Sequence, residues 1–126
     1  MKVLVVEDED GTRNALVSVL KRRGYNMLEA AGGAEAISII EKEKPDVVFL
    51  DIQLADKIDG LEVLKQSKAI SPQTELIMMS AYLMEYGLQA QDLGAYHFLK
   101  KPIVKIELFI QLIEEIRKKK NLATQS

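Results

Sequence analysis

Four short apolar runs in this sequence end on residues with chemistry. Residues 3–6 are followed by Glu7, Asp8, Glu9 and Asp10, residues 47–50 by Asp51, residues 76–79 by Ser80, and residues 98–99 by Lys100, Lys101 and Pro102. If these runs are strands of one sheet, several acids, a hydroxyl and a lysine meet at its edge. Carboxylates crowded into a partly dry crevice repel and push one another's pKa upward, unless a divalent cation sits among them. An oxygen-only ligand set without His or Cys suits Mg²⁺ keeping several of its waters. A carboxylate can also act as the nucleophile in phosphoryl transfer, with a metal and a lysine neutralising the charge on the transferred group.

Convergence of this kind requires parallel strands that all end on the same edge, and the remaining pattern supplies them. The runs at 3–6, 47–50 and 76–79 are apolar on both faces, as strands covered on both sides must be; 27–28 and 98–99 are two shorter runs. Between them, Leu16/Val19/Leu20, Ala36/Ile37/Ile40, Leu61/Leu64 and Leu88/Leu93 recur at roughly helical spacing, and Ile106/Phe109/Ile113/Ile116 close the series. Gly24, Pro45, Ser71-Pro72 and Gly94 punctuate the elements where a (βα)5 scheme needs breaks. The expectation is a single doubly wound α/β domain whose site lies at the carboxyl ends of the strands, where the winding reverses.

Composition excludes several function classes. The chain has 126 residues, 48% hydrophobic, with 17 Lys+Arg against 19 Asp+Glu for a formal charge of −2. That is one domain by size, with no global field to draw in nucleic acid or an anionic membrane. The absence of cysteine removes disulfide, thiolate-metal and thiol chemistry. No apolar run is long enough for a signal peptide or a membrane span, so a cytoplasmic domain is expected. No Gly-rich loop follows the first run, so neither a dinucleotide fingerprint nor a P-loop is present. Residues 121–126 read as a polar tail or the start of a linker.

Taken singly, each candidate has a bland account. Asp10 could merely cap the first helix, Asp51 could be a loop carboxylate, Lys101 a solvated charge, His97 a partly exposed strand residue, and Met78 and Met79 core filler. Their joint placement on four strand ends is what unrelated turn residues would rarely produce.

At this point the sequence resembles the receiver domain of two-component response regulators, the chemotaxis regulators among them. Val-Val-Glu7-Asp8-Glu9 is similar to the family's acidic pair, Val-Phe-Leu-Asp51 to its phosphoacceptor strand, and Asp59-Gly60 to the opening of its third helix. Met-Met-Ser80-Ala81 is similar to its switch hydroxyl, and Gly94-Ala95-Tyr96-His97-Phe98-Leu99-Lys100-Lys101-Pro102 to the signature before its last helix. The resemblance implies a flavodoxin-like, five-stranded parallel sheet of order 2-1-3-4-5 in a receiver domain over residues 1–120. It also implies that Asp51 accepts a phosphoryl group from a histidine kinase or phosphotransfer protein. Mg²⁺ would be held by Glu7, Asp8, Asp51 and the backbone carbonyl of Gln53, Lys101 would contact the phosphoryl group, and Ser80 and Phe98 would form the switch. Gln53 and Tyr82 would flank the path of attacking water. Such a domain catalyses only its own phosphorylation and dephosphorylation. Its switched surface is helix 4, strand 5 and helix 5, which would engage a downstream protein or a second copy; neither nucleic acid nor a membrane is a direct partner. Apolar residues in excess of one inward face, among them Tyr82, Leu83, Met84, Tyr86, Leu88, Leu108 and Ile110, point to the same surface.

The sequence departs from the family at Ala55, where Pro is usual, and the span from Asp51 to Gly60 is one residue longer than the commonest form. Two other readings stand beside the receiver. Asp8-Glu9-Asp10-Gly11-Thr12 matches the opening motif of haloacid-dehalogenase-type phosphatases, with Asp8 as nucleophile and Asp10 as general acid/base. That reading leaves Asp51 without a role and lacks the later acidic pair on a strand end. The third reading is a phosphorylation-independent binding module on the same fold.

Overall fold

The computed structural model describes residues 1–102 and 105–125, the side chains of 83–85 and 122–125 excepted. Strands and helices alternate: β1 (Lys2–Val6), α1 (Asp10–Arg22), β2 (Asn26–Ala30), α2 (Gly33–Glu43), β3 (Val47–Asp51), α3 (Gly60–Ile70), β4 (Glu75–Ser80), α4 (Leu83–Asp92), β5 (His97–Lys100) and α5 (Ile106–Gln125). All four strand pairings are parallel and the order is β2-β1-β3-β4-β5, as expected. The chain winds from β1 outward to β2, then returns to place β3 on the other side of β1. The crevice created by that reversal lies at the carboxyl ends of β1 and β3.

The continuous apolar runs are explained by two covered faces. Leu4, Val6, Val48, Leu50, Leu76 and Met78 turn to one side and pack with Ala36 and Ile40 of α2, Val63 and Leu64 of α3, and Ala90 of α4. Val3, Val47, Phe49, Ile77, Met79 and Leu99 turn to the other, against Leu20 of α1 and Phe109, Leu112, Ile113 and Ile116 of α5. Phe49 and Phe109 meet edge to face at 4.9 Å between centroids, an arrangement aromatic rings favour. Met78 and Met79 are core residues, and His97 is exposed on the last strand.

Three expectations change. Leu88, counted into the helical stripe of α4, is 76% exposed; the inward positions of that helix are Tyr86 and Ala90, with Leu93 just beyond it. Ala90 is the fully buried one of these, and a stripe drawn from large aliphatic residues missed it. Ile110 is half-buried against the α5-side core, leaving Leu108 as the exposed member of that pair. The side chains of Leu83 and Met84 lie outside the described residues. The polar segment expected from residue 121 is helical to Gln125, because Lys119 pairs with Glu75 and Lys120 donates to the Gln73 carbonyl at 2.6 Å, tying the end of α5 to the sheet. Ser126 is outside the described residues.

Candidate functional site

Each site residue sits where a strand ends. Glu7 continues β1 by one more ladder bond, its amide donating to the Ala30 carbonyl at 3.1 Å. Asp51 is the last residue of β3, and the amide of Gln53 donates to its Oδ1 at 3.0 Å, which orients the carboxylate. Behind it, a side chain at Gly60 would fall 2.3 Å from the Asp51 carbonyl oxygen; the first turn of α3 is pressed against the acidic strand end, and only hydrogen fits. Asp59 caps that helix, accepting from the Glu62 amide at 3.0 Å. Lys101 follows β5, its backbone amide donating a hydrogen bond to the Ser80 carbonyl at 3.0 Å.

The carboxylate oxygens of Glu7, Asp8 and Asp51 lie within 4.8 Å of one another. Glu7 and Asp51 are buried and Asp8 is exposed at the mouth. The Lys101 ammonium bridges the two buried acids, at 2.7 Å from Glu7 Oε1 and 2.7 Å from Asp51 Oδ2. Burial works against the charge on Lys101, but the bonds to Asp51 and Glu7 outweigh it and raise its pKa above that of a free lysine. Three carboxylates against one ammonium leave two negative charges, the deficit a divalent cation fills. Hard oxygen donors, one of them solvent-facing, fit Mg²⁺ with part of its water shell retained. A site so built can hold a cation, present a nucleophilic carboxylate and supply a donor to an incoming anion.

Residues 3–119 match the family model of the response regulator receiver domain. The chain belongs to that family. It is 37% identical over 102 residues to sporulation initiation phosphotransferase F of Bacillus subtilis, covering 80% of this chain and 82% of that protein. It is 33% identical to the alkaline phosphatase synthesis transcriptional regulatory protein PhoP of the same organism, over 99% of this chain and 52% of that one. The receiver domain of NtrX from Brucella abortus superposes with a TM-score of 0.83 at 32% identity, covering 90% of this chain and 96% of its own. The receiver thus spans most of one relative and about half of another. As a family member it is a signalling domain of two-component systems, whose response regulators interact with histidine kinases and phosphotransfer proteins. No helix among the described residues is long and apolar enough to cross a membrane.

The remaining expected residues are placed around this receiver site. Ser80 ends β4 fully buried, its Oγ accepting from the Tyr82 amide at 2.9 Å. Phe98 is half-buried on the α4 side of the sheet, paired in register with Met78. Gln53 and Tyr82 are both exposed beside the site. Asp10 is corrected on two counts. It is the first residue of α1, not its cap, and its exposed carboxylate pairs with Arg13 at 2.6 Å outside the acidic cluster. The phosphatase reading needed Asp10 in the site and left Asp51 without a role; the structure puts Asp51 in the acidic cluster and Asp10 outside it. Arg13 was not singled out from the sequence. Its signal was a lone cation in the second turn after four consecutive acids, three positions beyond Asp10.

Proposed function

We propose that Asp51 accepts a phosphoryl group from a phosphohistidine of a histidine kinase or phosphotransfer protein. A carboxylate oxygen of Asp51 forms the new P–O bond; the donor's P–N bond breaks, and its electron pair leaves on the imidazole nitrogen, which takes up a proton. The observation that carries this reading is the bridging of Glu7 and Asp51 by Lys101 inside an acidic cluster at the β1/β3 crevice. Mg²⁺ bound by Glu7, Asp8, Asp51 and the Gln53 carbonyl would neutralise charge on the transferred group.

Phosphorylation adds about one to two negative charges that must find donors. Lys101 exchanges a carboxylate partner for a phosphoryl oxygen, and the Ser80 hydroxyl turns from the Tyr82 amide toward the new group. Phe98 then moves inward, and the surface of α4, β5 and α5 is repacked for a downstream protein or a second copy. This is local electrostatics biasing a two-state packing. The receiver does no chemistry beyond gaining and losing its own phosphoryl group, and acts in the cytoplasm, where its donors are charged.

The test is incubation with Mg²⁺ and acetyl phosphate, read by intact mass. One phosphoryl group should be gained, lost in Asp51→Asn, and diminished in Asp8→Asn through weaker cation binding. Labelling that survives in Asp51→Asn refutes the assignment.

A further inference from the structure

The loop between β1 and α1 carries three acids in a row, a sequence that repels itself, yet it presents Glu7 and Asp8 together. One side chain accounts for its shape. The Arg13 guanidinium donates through Nη1 to the Glu7 backbone carbonyl at 2.7 Å, through Nη2 to Asp10 Oδ1 at 2.6 Å, and through Nε to Glu29 Oε1 on β2 at 3.1 Å. The Arg13 side chain is 12% exposed, whereas Asp10 is 80% exposed. The Arg13 side chain is therefore folded against the loop and β2 instead of extending into solvent. Both backbone polar groups of Glu7 are then engaged by neighbours outside the loop: the amide by Ala30 and the carbonyl by Arg13. The peptide plane joining Glu7 to Asp8 is fixed, and Asp10 is held apart from the cluster.

We infer that Arg13 is a positioning residue for the cation site, a fork that sets the Glu7–Asp8 peptide so that both carboxylates face Asp51. The inference rests on the reading of Glu7, Asp8 and Asp51 as the cation ligands. It depends on directed bonds, which only the planar, multi-donor guanidinium supplies; a lysine offers charge without the fork. Charge and geometry predict opposite signs. Removing a cation beside an acidic cluster deepens the negative potential and tightens binding of a divalent ion. Releasing the loop scatters the ligands and weakens binding, typically by about 10–100-fold for partners that orient metal ligands.

The experiment is a Mg²⁺ titration of the unphosphorylated protein, followed by NMR of the loop amides, in wild type, Arg13→Met and Arg13→Lys. Thermal melts without Mg²⁺ confirm that each variant is folded, and Arg13→Lys, which keeps the charge and most of the stem, carries the test if Arg13→Met does not fold. The expected result is a rise in Kd of about tenfold or more in both variants. Wild-type affinity in Arg13→Lys, or unchanged or tighter binding in Arg13→Met, overturns the inference even if melting temperatures fall. Wild type that binds no Mg²⁺ overturns the underlying site as well, which separates the two failures.

Discussion

At the residue scale, the site stores electrostatic strain that the sequence already implied. Two buried carboxylates share a single ammonium, and the oxygen of a third, exposed one lies within 4.8 Å of theirs. Replacing Asp51 by the neutral, nearly isosteric Asn relieves that repulsion, and without Mg²⁺ Asp51→Asn should melt a few degrees higher than wild type, consistent with about 1 kcal/mol. Saturating Mg²⁺ should raise wild type and close the gap, because a ligand that binds the folded state stabilises it. Calorimetric melts with and without Mg²⁺ check this; a lower melting point for Asp51→Asn in metal-free buffer would count against the crowding. Ser80 separates uptake from response. Its hydroxyl lies on β4, bonded to the Tyr82 amide, and is not among the groups that bridge Asp51. Ser80→Ala should still accept a phosphoryl group yet lose most of the phosphorylation-induced NMR shifts around Phe98. Equal shifts in the two proteins would remove Ser80 from the switch.

At the element scale, how well the sequence could be read depended on what each element had to bury. The central strands were legible because covering both faces demands unbroken apolar runs. The acids, Ser80 and Lys101 were legible because strand ends in a parallel sheet share an edge. The inward side of α4 was not, since Ala90 sits at its contact and Leu88 faces solvent. Arg13 was missed because its bond to the Glu7 carbonyl depends on loop geometry that spacing does not encode. The attachment of α5 across the start of β2 was also invisible: the Tyr25 hydroxyl donates to Glu114 at 2.6 Å, with the Arg117 guanidinium 5.9 Å from its ring centre. Burial, and then the bond to Glu114, push the Tyr25 phenol up to about 12. A raised folded-state pKa gives stability that is fully present below pH 10 and lost as pH rises from about 10 to about 12. Absorbance at 295 nm should therefore show a tyrosine titrating near pH 12, absent in Tyr25→Phe, which should also lose about 1 kcal/mol of stability through the missing hydrogen bond. A set of tyrosines all titrating near 10 would contradict the contact.

At the scale of the whole molecule, one edge of the sheet gathers the chemistry, and the exposed large apolar residues among those described lie on or beside α4 and α5. Tyr82, Leu88 and Leu108, at 53%, 76% and 41% exposure, belong to α4 and its approach and to α5. Ser80 precedes the first of these and Phe98 lies between the two helices in sequence; on the proposed switch, phosphorylation of Asp51 would alter these surfaces through β4 and β5. A self-association or partner contact made there should strengthen on phosphorylation and fail in Leu108→Glu, read by sedimentation with and without phosphodonor. Association indifferent to that added charge would place the interface elsewhere.

The proposed function stands or falls on where the phosphoryl group is attached. Borohydride reduces an aspartyl phosphate to homoserine, leaving a permanent mass signature at the acceptor. After incubation with Mg²⁺ and phosphodonor, reduction and peptide mass spectrometry should find homoserine at position 51 and at no other aspartate. Homoserine at position 8, or none on a protein shown to bind Mg²⁺, would contradict Asp51 as the phosphoacceptor.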